Sequence, residues 1–215
     1  SITGNINISG NTIDSKTLLI PNFVGVYVGI DVSGLNGIFR GIAISNNIIR
    51  KSDSTSSSCI IVDSLGVAST TRVTGISVTN NQLFETGSNV TSTGYMIRLA
   101  GTVAGGVTAF QDVAVNNNNI LCIGALGTRQ PAVTFAGCTR ATMNNNTVLW
   151  NSGAQDTLHF AVAFGICVGN MVESDTSTYA FNASGGSNTT LVGNQTNRTG
   201  AGVIQNAFTN PASNF

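Results

Sequence analysis

The chain has 215 residues, nine basic side chains balancing nine acidic ones, and only 8% charged residues, against roughly a quarter in ordinary domains. A hydrophobic content of 41% is enough for a continuous core and excludes a disordered low-complexity chain. Zero net charge, scattered basic residues and the lack of any apolar run near the roughly eighteen residues that span a bilayer exclude a nucleic-acid partner and membrane insertion as expectations.

In chain order, the first signal is Ile6 and Ile8, then Asn11, then Ile13. The same arrangement returns as Ile42/Ile44/Asn47/Ile49, Ile76/Val78/Asn81/Leu83, Val113/Val115/Asn118/Ile120, Ala141/Met143/Asn146/Val148, Gly165/Cys167/Asn170/Val172 and Thr189/Leu191/Asn194/Thr196. Alternation at period two predicts a strand with one buried face, and the apolar residue after the asparagine opens a second, short strand. The asparagine is placed at the bend, because Asn tolerates left-handed backbone and bonds to its own neighbourhood. Stacked amides can also bond along a column. The intervals of 36, 34, 37, 28, 24 and 24 residues each fit one turn of a β-solenoid, with loops inserted into the longer turns.

Between these motifs lies a third strand per turn. Tyr27 to Val32, Cys59 to Asp63, Tyr95 to Leu99, Ala132 to Phe135, His159 to Val162, Tyr179 to Ala183 and Val203 to Phe208 alternate or run apolar for strand length. The connectors are polar and Gly-rich, among them Lys51 to Ser58 and Gly124 to Pro131. The expectation is an all-β parallel β-helix of three-strand rungs and about seven coils, forming a single domain over residues 1–215. Ser1 to Ile6 already belongs to a repeat, so the chain reads as a fragment of a longer one. Inward positions shrink to Gly165, Thr189 and Thr196, which predicts an approaching end, with residues 198–215 as a cap closed by Phe208, Pro211 and Phe215. Cys59, Cys122, Cys138 and Cys167 form no CxxC pair; they are expected to be reduced and packed, with no metal and no cofactor.

Segments such as Ile-Ser-Asn-Asn-Ile-Ile, Val-Thr-Asn-Asn-Gln-Leu and Val-Gly-Asn-Met-Val resemble the right-handed parallel β-helix repeats of pectate-lyase-like proteins. The uncharged Ser/Thr/Gly-rich style is most similar to bacteriophage tailspikes and tail fibres. That resemblance implies a virion protein acting outside the host cell, a homotrimer whose partner is bacterial surface polysaccharide. It leaves three functions open: receptor binding, a polysaccharide depolymerase of the glycosidase or lyase type, and a structural trimeric shaft.

Candidate site residues follow from strand parity. With Val28, Ile30 and Val32 inward, Tyr27 and Asp31 face out, and Asp63 faces out beside inward Ile60 and Val62. Alignment of the strands puts Asp31 and Asp63 on adjacent rungs roughly 5 Å apart, with Arg98 diagonal to them. Two carboxylates so placed are candidate catalytic groups for glycoside hydrolysis; the plainer reading of the same cluster is a surface Asp-Arg-Asp stack that stabilises the coil. Tyr27, Arg98 and His159 are candidate substrate contacts. Phe84, Leu121 and Leu149 fall in one outward column after the asparagine and are assigned to a trimer interface. The outer face of the first strand, with Ser9, Ala43, Ser45, Ser77, Thr79, Ala114 and Thr142, is flat, small and uncharged. It suits a polysaccharide, and close packing against a sister chain explains it equally well; Ser/Thr ladders are also what an ice-binding solenoid displays.

Overall fold

The computed structural model describes residues 5–15, 23–31, 38–51, 56–65, 72–85, 91–92, 94–101, 110–152, 156–174, 179–183, 188–197, 204–205 and 208–209. Among them the fold is all-β, with two sheets of 13 and 8 strands. Every strand pairing is parallel.

The alternating segments are strands, and they stack by type. In the first ladder Ile6–Ser9, Ile38–Ser45, Arg72–Thr79, Phe110–Asn116, Val133–Asn144, Leu158–Val168 and Asn188–Val192 lie side by side. Ile6, Ile42, Ile76, Val113, Ala141, Gly165 and Thr189 are successive register partners. β-branched side chains fit a pleated surface on which like residues pack over one another, which favours this stacking. The second ladder holds Thr12–Asp14, Ile48–Arg50, Gln82–Glu85, Asn119–Arg129, Thr147–Ser152, Met171–Ser174 and Gln195–Thr196. The third holds Val24–Asp31, Ser58–Leu65 and Ile97–Ala100, then the N-terminal halves of Val133–Asn144 and Leu158–Val168. Because those two long strands serve the third and first ladders in turn, the larger sheet curls. Gly137, at φ 61°, sits at one such corner.

Inward side chains of the ladders merge into one apolar cluster that includes Ile44, Ile49, Ile60, Val78, Leu83, Ile97, Phe135 and Phe160. Ile44 and Leu83 are wholly excluded from solvent, and each such side chain contributes about 2 kcal/mol of hydrophobic stabilisation. Trp150 also lies in this core. Gly165 is the exception among the inward positions: a Cβ there would collide with the ring of Phe160. The small residue makes room for a neighbour's ring, so the shrinking side chain at this position does not thin the core.

The chain's tight turns depart from expectation in a specific way. Each repeated asparagine is preceded by a residue in the left-handed region: Gly10 at φ 71°, Asn46 at 56°, Asn80 at 57°, Asn117 at 57°, Asn145 at 54°, Gly169 at 63° and Gly193 at 59°. The bend therefore belongs to this preceding Asn or Gly, the residue types that adopt positive φ at least cost. The repeated asparagine itself turns its side chain inward.

At the C-terminal end, the described parts of the expected strand Val203 to Phe208 enter two ladders, and Val203 itself lies outside the described residues. Ile204 pairs with Phe181 in the third ladder, and Phe208 pairs with Thr189 in the first. Val32, Pro211 and Phe215 lie outside the described residues.

Candidate functional site

The inward-turned asparagines form a hydrogen-bonded column. The Nδ2 of Asn11 donates to Oδ1 of Asn47 at 3.0 Å, and Asn47 to Asn81, Asn81 to Asn118, Asn118 to Asn146, Asn146 to Asn170 and Asn170 to Asn194 follow at 2.8–3.0 Å. Each of these Oδ1 atoms also accepts the backbone N–H of the same preceding asparagine. The second amide hydrogen of Asn118 goes to the carbonyl of Val78, and that of Asn146 to Val115. Two donors and two lone pairs are thus used in the buried amides of Asn47, Asn81, Asn118, Asn146 and Asn170, which is the full capacity of the group. The column is a scaffold: it holds successive strands in register so that outward side chains fall in fixed rows.

On the outer face of the third ladder, Tyr27, Ile61, Arg98, Thr134, His159 and Asn182 form one register row. Asp63 falls in the next row, between Gly29 and Ala100. Asp31 pairs with Leu65, so the expected side-by-side placement of Asp31 and Asp63 is corrected by two residues. A two-residue slip keeps every side chain on its own face, so inside/outside alternation has no power to detect it. The partner Asp63 does have is Arg98, whose Nη1 donates to Oδ2 at 2.9 Å while its guanidinium lies over the Tyr95 ring, 5.6 Å from the centroid. Burial pushes the Asp63 carboxyl up, against the opposing pull of Arg98, and its Oδ1 has no hydrogen-bond partner. Tyr27 is half exposed at 50%.

In the second ladder Arg50, Phe84, Leu121, Leu149 and Glu173 succeed one another in register. Phe84, Leu121 and Leu149 are half-buried. Arg50 lies over the Phe84 ring at 5.2 Å and pairs with Asp14 at 3.6 Å.

One residue further along, the inward row sets Lys51 beside Glu85, and Arg129 reaches the same spot; the sequence assigns Lys51 and Arg129 to connectors. Lys51, Glu85 and Arg129 are all buried. Lys51 Nζ is 2.9 Å from Glu85 Oε2, Arg129 Nε is 3.3 Å from Glu85 Oε1, and Lys51 also donates to the Ser57 carbonyl at 3.1 Å. Arg129 reaches Glu85 because Asn119–Arg129 continues as strand, with a register irregularity between Cys122 and Gly127, where a connector was expected. The four cysteines are buried and form no disulfide, and burial pushes the Cys59 and Cys138 thiols up to about 12. Such thiols are inert packing groups. Among the described residues no three His, Cys, Asp or Glu side chains gather as metal ligands.

An open groove lies on the outer face of the first ladder. Its volume is about 660 Å³, and it is lined by Asp112, Arg140, Thr142, Phe164, Ile166 and Asn188, among others. Asp112 stands at the same place in its strand as Gly41 and Gly75 do in theirs, and like them has positive φ, at 54°. Its carboxylate is clasped by Arg140, Nε to Oδ1 at 2.6 Å and Nη2 to Oδ2 at 2.8 Å, and accepts the Thr74 hydroxyl at 3.0 Å. The hydrogen bonds from Arg140 hold the Asp112 carboxyl below the usual carboxylate range, and the same pairing raises Arg140. Phe164 is 55% exposed and Ile166 49%. The sequence signals this face only through its small residues. The change from Gly41 and Gly75 to Asp112, Arg140 and Phe164 along one row becomes visible once the register is known.

No protein-family model, curated protein or solved structure matches this chain.

Proposed function

We propose that the chain is a right-handed parallel β-helix of about seven three-strand coils. It is the part of a phage tailspike or tail fibre that recognises bacterial surface polysaccharide, working in the virion as one third of a homotrimer, with Phe84, Leu121 and Leu149 at the interface. The coil is supported by parallel partners that recur 24 to 37 residues apart; right-handedness follows from the strong preference of parallel crossovers for that hand.

The observation that carries the binding role is the outer face of the first ladder. Most of it is small and uncharged, and it opens into a groove where a locked Asp112/Arg140 pair flanks an exposed Phe164. Sugar sites combine apolar contact area with a few oriented polar groups, and this groove has both. Glycoside hydrolysis ordinarily uses two carboxylates flanking one bond, whereas Asp63 stands between Gly29 and Ala100 and pairs with Arg98. Binding without cleavage is therefore the expected outcome. The test is to incubate the intact protein with capsular and O-antigen polysaccharides, then measure retention on immobilised glycan and release of reducing ends or unsaturated sugars. Retention without release supports receptor binding; release argues for a depolymerase, and neither argues for a shaft.

A further inference from the structure

Resting on that reading, we propose that the groove is a subsite for an uncharged pyranose, stacked on Phe164 and hydrogen-bonded from both sides by Arg140 and Asn188. Phe164 is the direct register partner of Arg140 on one side and of Asn188 on the other. Adjacent strands are about 4.8 Å apart, so an aromatic ring stands between two planar polar groups along the direction in which the ladders stack. With 55% of Phe164 exposed, its ring offers a surface to the C–H face of a sugar. Equatorial hydroxyls of a ring lying on it point sideways, toward the guanidinium and the carboxamide.

Charge selects the kind of sugar. Arg140 spends Nε and one Nη2 hydrogen on Asp112, leaving its Nη1 hydrogens as donors for neutral hydroxyl oxygens. The carboxylate that holds it also cancels its charge, and among the described residues no other charged side chain lines the groove. A uronate or sialate would meet the Asp112 carboxylate with nothing left to neutralise it, whereas a neutral hexose meets a fixed, preorganised fork. Asp112, with Thr74 as its third partner, is a positioning residue: it sets the orientation of Arg140 and touches no sugar itself.

The experiment uses the intact chain on an array of neutral polysaccharides (dextran, mannan, galactan) and acidic ones (polygalacturonate, alginate, polysialate), with Phe164→Ala and Arg140→Met as groove variants and Met171→Ala, an exposed residue of the second ladder, as a control. Unchanged far-ultraviolet circular dichroism and melting temperature establish that each variant is folded. The expected result is binding to at least one neutral polymer, about tenfold weaker for Phe164→Ala and for Arg140→Met, and unchanged for Met171→Ala. Binding confined to acidic polymers overturns the choice of sugar while leaving glycan recognition standing. Neutral binding that survives both groove variants overturns the placement. Retention of no polysaccharide by the wild-type chain overturns glycan recognition and the subsite together.

Discussion

Asn117 and Asn118 are adjacent and identical in type, yet the structure assigns them opposite duties, so mutating each in turn is a sharp trial of how the stack is held. Replacing Asn118 by Ala removes the acceptor of the Asn81 backbone N–H and of one Asn81 amide hydrogen, and the donor to the Val78 carbonyl. Asn146 keeps the Asn118 backbone N–H on its Oδ1, so the damage falls mainly on the preceding coil. Each buried polar group stripped of its partner costs about 1–3 kcal/mol. With partial relaxation, a total of about 4 kcal/mol is expected, a large part of the usual 5–15 kcal/mol margin. For a chain of this size that lowers Tm by about 8–16 °C. At the neighbouring position, Asn117→Gly should change stability by less than about 0.5 kcal/mol, because the exposed residue supplies only a backbone at φ 57° that glycine adopts freely. Asn117→Ala should cost about 1 kcal/mol for forcing an ordinary side chain into that region. Guanidinium unfolding followed by circular dichroism measures all three. Equal losses at 117 and 118, or a loss under about 1 kcal/mol for Asn118→Ala, would refute the account of the amide column.

Three other outcomes are expected. Glu85→Gln leaves two cations in the core facing a neutral amide and should destabilise by about 3–5 kcal/mol in the same denaturation assay; a neutral result would mean the triad is hydrated. Asp63 and Asp112 should give opposite pH dependence. A raised carboxyl such as Asp63 binds its proton more tightly folded than unfolded, so its stabilisation is present below the ordinary value of about 4 and is lost as pH rises; lowered Asp112 contributes above that value and loses its contribution as pH falls. Melting temperatures taken between about pH 3 and pH 7 should therefore show wild type gaining on Asp63→Asn toward acid and losing ground to Asp112→Asn; matching trends for the two pairs would contradict the assigned causes. Gly165→Ala drives a methyl group into the Phe160 ring and should cost about 1–3 kcal/mol, with Phe160→Leu in the same chain restoring much of the loss.

Much of the fold is legible in the amino-acid order because it is written in periodicity. Alternation marks the buried faces of the first two strands in every repeat, and the spacing of Asn11, Asn47, Asn81, Asn118, Asn146, Asn170 and Asn194 marks which residues meet. These are short-range properties, set by the two-residue period of a strand and by a turn that only a few residue types accommodate. What they leave open is anything invariant to that period. A slip of two residues preserves both faces, and so the displacement that pairs Asp31 with Leu65 is decided by tertiary packing. The same holds for Lys51, Glu85 and Arg129: Lys51 and Arg129 read as connector residues, and only when chain segments tens of residues apart close around them does a buried triad become the lower-energy arrangement. The groove at Asp112, Arg140 and Phe164 belongs to this second class. Its members are unremarkable in their own segments and become a site because parallel stacking converts distance along the chain into adjacency across it.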